Sequence, residues 1–212
     1  MSTTPQLEEP IDGRTARAVR TRERLVDATI ALVEEGDLRP TAPRIAARAG
    51  VSVRSVFQHF DDLDSLFAAM GARVVERLAP LIRPIDPTAP LAERAAEFVR
   101  QRSEVSEAVT PINRAAILQA PKSATISRQF ASGHSFLAAM TAELFQVELA
   151  VAGDRRQALL DGLVMVGSWP TWNLLRTLEH RSIEEATQAV AGMVDLLLGS
   201  VQPAGPAQAG GS

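Results

Sequence analysis

The residues best suited to chemistry lie between Thr41 and Phe60, reading T-A-P-R-I-A-A-R-A-G-V-S-V-R-S-V-F-Q-H-F. The chemistry they suit is recognition rather than catalysis. Arg54 has the reach and fork geometry to bond a guanine edge bidentately. Val53 and Gln58 can read bases beside it, the first by apolar contact. Thr41, Arg44, Ser52, Ser55 and His59 are donors suited to phosphate oxygens, which fix register without reading sequence. Phe57 completes the exposed set.

These side chains need a rigid mount, and the same stretch supplies it. Thr41 is a natural N-cap, and Pro43 falls in a first turn where a missing N–H costs nothing. Ile45, Ala46 and Ala49 repeat at helical spacing. Gly50 can take the left-handed conformation that ends a helix and turns the chain. Ser52 can cap a second helix, in which Val53, Val56, Phe57 and Phe60 are apolar. Small Ala46 lets two helices cross closely, and Val56 packs the second on the first. The spacing predicts a helix-turn-helix whose outer face is free for a DNA major groove. An ordinary helical hairpin shares this patterning.

The flanks extend the reading. His59-Phe60 follows, then Asp61-Asp62 opens an apolar helix with Leu63, Leu66, Phe67 and Met70. A long helix precedes Thr41. Together these resemble the TetR family of bacterial transcription regulators, through Ile45-Ala46-Ala47-Arg48-Ala49-Gly50-Val51-Ser52, then Val56-Phe57-Gln58-His59-Phe60, then Leu66. The specific match covers about residues 20 to 70; beyond it, only length and helical layout correspond. The family usually carries Tyr at the position of Phe57 and often Lys at that of Leu63. Both commonly touch phosphates, so the resemblance implies two contacts this chain lacks.

Composition and charge bound the alternatives. The chain has 212 residues, 46% hydrophobic and 22% charged, which is globular. No apolar run is long enough to span a bilayer, and the N-terminus lacks a basic start and apolar stretch, so neither a membrane span nor a secretory signal is expected. There is no cysteine, which excludes disulfides and thiolate catalysis and fits a cytoplasmic setting. The formal net charge of −3 disfavours nucleic acid, but its distribution does not. Residues 14 to 60 hold nine arginines against five acids, while residues 61 to 212 hold thirteen basic and seventeen acidic groups. A basic head on an acidic body keeps phosphate attraction at one end. Arginine-rich usage also fits a GC-rich genome.

No enzyme motif appears. Gly133-His134-Ser135-Phe136-Leu137 begins like a nucleophile elbow but lacks the closing glycine and a preceding strand. There is no phosphate-binding loop or dinucleotide fingerprint. His59, His134 and His180 have no metal-ligand spacing. Neither a cofactor nor a metal is expected.

The periodicity predicts an all-α chain of about nine helices. They run from about Arg14 to Glu35, through the two of the helix-turn-helix, then over 62–81, 91–109, 110–120, 123–150, 153–179 and 182–199. Val19, Leu25 or Val26, Ile30 and Val33 form the buried stripe of the first. Four prolines over residues 80 to 90 mark a linker. Thr110-Pro111 reads as the start of a new helix, and Ser182 with Glu185 as a capping box. The expected organisation is a disordered arm over 1–13, a DNA-binding domain over 14–70, a ligand-binding and dimerisation domain over 71–200, and a flexible tail over 201–212.

Two late stripes suggest self-association. One is Ile183, Ala186, Val190, Met193 or Val194, and Leu197; the other is Leu160, Leu163 or Val164, Gly167 and Thr171. Paired with a symmetry mate they would make a four-helix bundle; the alternative is that both face this chain's own core. Phe98, Arg102, Asn113, Phe130, His134, Phe136, Trp169, Trp172 and Asn173 place aromatics and a few polar groups on helices meant to pack together, as small-molecule sites in helical proteins do. Pro170 is expected to distort the helix carrying both tryptophans. The expected function is a homodimeric regulator, a repressor, that binds palindromic double-stranded operator DNA and is released by a small hydrophobic effector. The alternative is a helical small-molecule- or partner-binding protein without specific DNA binding.

Overall fold

The computed structural model describes residues 13–201. The arm and tail expected at 1–13 and 201–212 lie, apart from Gly13 and Val201, outside the described residues. Among these there are ten α-helices and no strand. They are α1 (Gly13–Glu34), α2 (Ala42–Ala49), α3 (Val53–His59), α4 (Leu63–Leu78), α5 (Leu91–Ile117), α6 (Ala124–Leu144), α7 (Gln146–Val151), α8 (Arg156–Val166), α9 (Trp169–Thr177) and α10 (Ile183–Gly199). No helix among them is long and apolar enough to cross a membrane.

The chain forms two compact units. One holds residues 13–73 with Arg114–Ile126, the other Val74–Asn113 with residues 127–201. Helices α4, α5 and α6 therefore each contribute to both.

In the first unit α1, α2 and α3 pack on one another. Leu25, Val26, Ile30, Leu32 and Val33 of α1 are buried. Val19, expected on that stripe, is 51% exposed, because the buried run begins only at Leu25. Gly36 at φ +97° ends α1, with the Asp37 N–H returning to the Leu32 carbonyl at 2.9 Å. Leu66, Phe67 and Met70 bury one face of α4, and an Arg73–Asp27 ion pair at 3.6 Å ties α4 to α1.

The second unit is built around Phe98, Leu149, Leu163, Trp172, Val190 and Val194, contributed by five helices, and Phe145 from the break between α6 and α7. Phe98 and Phe145 meet edge to face, with centroids 5.5 Å apart. Three boundaries differ from the periodicity. Pro111 does not start a helix but lies inside the 27-residue α5. Beside it Thr110 donates its hydroxyl to the Ser106 carbonyl at 2.7 Å and accepts from Trp169 Nε1 at 3.1 Å. The expected 123–150 helix breaks at Phe145, whose ψ is 29°. Arg94 makes the break tolerable: it donates to the orphaned Leu144 carbonyl at 2.7 Å and pairs with Glu148 at 2.7 Å. The expected 153–179 helix breaks at Gly167-Ser168, where Ser168 is extended at ψ 154°. Pro170 consequently sits in the first turn of α9, where it fits, and distorts nothing.

Candidate nucleic-acid interface and effector crevice

The turn before α3 is built from backbone hydrogen bonds. Gly50 adopts φ 65° and ψ 41°, a conformation that penalises any side chain. Its N–H donates to the Ala47 carbonyl at 3.2 Å, and the Val51 N–H to the Ala46 carbonyl at 3.0 Å. Ser52 then caps α3 by accepting from the Ser55 N–H at 3.2 Å. Thr41 occupies the N-cap of α2 with extended backbone but makes no capping bond through its side chain. Its hydroxyl is exposed and uncommitted to the helix.

The buried side of α3 is Val56, fully enclosed, with Phe60 just after it. The opposite side presents Val53 at 40% and Phe57 at 53% exposure together with exposed Ser52, Arg54 and Gln58. Ser55 and His59 are half-buried at its flanks. Two large apolar side chains thus lie on the surface of a seven-residue helix. Arg44 is exposed and paired with Asp37 at 3.0 Å, which aims it along the first turn of α2. Arg48 is clamped bidentately by Glu35 at 2.8 and 2.6 Å, and this guanidinium holds the Glu35 carboxyl below its usual range. Arg24 donates to the Ala49 carbonyl at the end of α2, and the Arg22 guanidinium lies 4.5 Å above the Phe60 ring. Some of the basic charge of residues 14 to 60 thus holds the head together. Arg54 is left projecting.

Leu63, the first residue of α4, is half-buried in a groove of about 280 Å³ with Arg39, Thr41, Phe67, Gln119 and Lys122, all within the first unit.

In the second unit the expected effector residues divide. Phe98 and Trp172 are fully buried, and Trp169 is buried at 8% exposure. Arg102 lies beside them and donates from Nε to the Gly167 carbonyl at 2.8 Å. Trp172 donates to Glu107 at 2.8 Å, and Glu107 also pairs with Arg176 at 3.2 Å. Asn113 and Phe130 are half-buried, and half-buried Asn173 accepts from Thr177 at 3.0 Å. His134 and Phe136 are exposed on α6, so the structure does not bring them to the others. The Gly133–Leu137 string lies inside α6 and forms no strand-to-helix turn. Among the described residues no three His, Asp or Glu groups could hold a metal.

A narrow crevice, too tight for a water molecule as it stands, lies where α5 meets the α8–α9 junction. It is lined by Arg102 and Trp172, and also by Ser103, Ser106 and Ser168, which sequence reasoning missed. Their signal was present: three buried serines and an arginine interrupt faces that are otherwise apolar.

The stripes expected to lie between subunits are corrected in part. Ala186, Val190, Val194, Leu163 and Val164 face this chain's own core. Gly167 does as well: a Cβ there would meet Phe98 Cζ at 2.8 Å. Leu160, Met193 and Leu197 pack partly buried against the same core and Thr171 is half-buried, so of the two stripes only Ile183 is exposed, at 50%; outside them Met165 at 57% and Leu196 at 78% are exposed on α8 and α10.

Comparison with known proteins sharpens this. Residues 25–70 match the family model described as bacterial regulatory proteins, tetR family. A search of curated proteins finds no significant match. Among solved structures, a transcriptional regulator from Rhodococcus sp. Rha1 superposes with a TM-score of 0.64 at 17% identity, over 86% of this chain and 98% of that one. A TetR transcription regulator from Haloarcula marismortui gives 0.60 at 21% identity, over 84% and 98%. The multidrug binding protein EbrR, complexed with imidazole, gives 0.53 at 22% identity, over 87% and 97%. These identities establish a shared fold.

Proposed function

We propose that this chain, a member of the TetR family by its residues 25–70, is a homodimeric transcription regulator, a repressor released from palindromic operator DNA by a small, largely hydrophobic molecule. The observation that carries the reading is the exposed face of α3. Val53, Arg54, Phe57 and Gln58 project from a helix whose other side is anchored by Val56 and whose start is fixed by Gly50 and Ser52. Such a face has the width and chemistry to enter a major groove, with Arg54 reading a base edge. Thr41, Arg44, Ser52, Ser55 and His59 are placed around it as backbone contacts. Phe57, lacking a hydroxyl, offers apolar contact to a thymine methyl or sugar instead of a phosphate bond.

The effector half rests on the second unit. Buried aromatics, a charged side chain and a crevice at a helix break are the ingredients of a small-molecule site. The bound imidazole in EbrR supports a ligand role for this architecture. Because α4, α5 and α6 each run from one unit into the other, a ligand that favours one arrangement of the second unit can bias the heads, as differential affinity requires. The exposed apolar residues of α8 and α10 supply the dimer contact, so that two heads meet two half-sites.

Selection of bound sites from random double-stranded DNA tests the reading. Enrichment of an inverted repeat is the expected result; a pool without a shared motif overturns it. The second reading, a helical binding protein without specific DNA recognition, draws on Phe57 and Leu63 standing where phosphate-contacting Tyr and Lys are usual, and it predicts that empty pool.

A further inference from the structure

The crevice of the second unit holds an arginine that no carboxylate neutralises. Arg102 uses Nε on the Gly167 carbonyl, and no described acidic group pairs with the rest of its guanidinium. Beside it, the Ser103 hydroxyl is buried, at 6% exposure, and has no hydrogen-bond partner. An orphaned buried hydroxyl is unfavourable, and one beside a half-buried cation that no carboxylate pairs is unusual at one crevice. Burial without a compensating charge pushes the Arg102 guanidinium down to about 10, still protonated at neutral pH.

We propose that this crevice binds the carboxylate of a small organic acid, with the terminal nitrogens of Arg102 as its ionic partner and the Ser103 hydroxyl as a second donor. The proposal rests on the ligand-responsive reading above and names the effector's class. One cation matches one monoanion. A phosphate monoester, with charge near −2 at neutral pH, would leave charge uncompensated. The remaining walls suit an apolar stem: Val166, Val190 and the Trp172 ring line the crevice with Ser106. As it stands the crevice is too tight for even a water molecule, far below the roughly 300–1,000 Å³ of drug-sized sites. An acid of any length would therefore reach Arg102 and Ser103 by parting the α8–α9 junction at Gly167-Ser168. The guanidinium fork suits a carboxylate better than a point-charge ammonium does.

Butyrate, benzoate and octanoate, each against its own primary amide, test this by tryptophan fluorescence titration and thermal melting of the full-length protein. At least one acid should bind saturably and raise the melting temperature, with its amide weaker by about tenfold or more. Arg102→Met should abolish acid binding in a protein that stays folded, with any drop in melting temperature reporting the lost bond to the Gly167 carbonyl. Arg102→Lys should recover part of the affinity, and Ser103→Ala should weaken it several-fold. Equal binding of acids and amides, or no binding of any acid, overturns the proposal. So does an Arg102→Met variant that melts lower yet binds acid normally, because Arg102 would then only cap the end of α8. Operator release measured alongside keeps the two levels apart. A neutral amide that binds and releases operator sinks the carboxylate assignment alone, whereas bound acid without operator release sinks the effector reading and leaves the anion site standing.

Discussion

At the scale of single residues, the interface reduces to what each exposed side chain of α3 can reach. Arg54 is the one cation on that face, and it lies in the first turn of the helix. Arg54→Ala should cost about 1–3 kcal/mol on the selected operator and relax preference at one base pair. Comparing binding-site profiles of the two proteins checks this; identical profiles would remove Arg54 from the readers. Leu63 is a different case, half-buried at the start of α4 in the groove with Lys122 and Arg39. A lysine stem can lie along such a groove and put its ammonium outside. Leu63→Lys should therefore add a phosphate contact, steepening the log–log salt slope by about 0.9 while sequence preference stays put. A lowered melting temperature with an unchanged slope would mean the groove refuses the longer chain.

At the scale of elements, the second unit depends on two breaks held by arginines. At the α8–α9 junction, Gly167 leaves room for Phe98, and an added Cβ would stand 2.8 Å from its ring. Gly167→Ala should cost about 1–3 kcal/mol by overpacking, read from the denaturant midpoint. By the same contact, Gly167→Arg is expected to unfold the unit. At the α6–α7 break, Arg94 grips Glu148 and the Leu144 carbonyl with 6% and 10% of the two side chains exposed. The Arg94 bonds hold the Glu148 carboxyl below its ordinary 4.5, against the opposing pull of burial. A carboxylate whose folded pKa is depressed stabilises the fold above its unfolded value and loses that contribution as pH falls through the folded one. Stability should thus decline below about pH 4.5, more shallowly in Glu148→Gln. That variant should start about 3 kcal/mol lower at neutral pH, because it strands the arginine. Acid titrations of melting temperature on both proteins decide it.

At the scale of the whole molecule, the proposed function needs two heads. The core-facing sides of α8 and α10 are spent within the chain, which leaves Met165, Ile183 and Leu196 as the exposed apolar side chains of those helices. Leu196→Glu should give folded monomers in sedimentation, with helical content intact and operator affinity sharply reduced, because one half-site carries only part of the binding energy. A variant that stays dimeric would place the interface elsewhere.

The helix-turn-helix was legible in the sequence because every determinant of it is local. Gly50, the Ser52 cap on Ser55, and the alternation of Val56 with Arg54 and Gln58 act within a few residues of one another. The Ser182–Glu185 capping box was legible for the same reason. The fold class followed from periodicity summed over many turns, which tolerates local error. What only the tertiary structure decided were features that depend on partners far along the chain. Pro111 is absorbed into α5, beside a Thr110 bonded to Trp169 across 59 residues. Helix α6 stops at Leu144 under Arg94, 50 residues away. The α8–α9 break and the crevice beside it depend on Arg102, 65 residues from the carbonyl it holds. A buried charge meeting a freed carbonyl leaves no periodic trace, so Ser103 and the crevice it lines became visible only once the helices were packed.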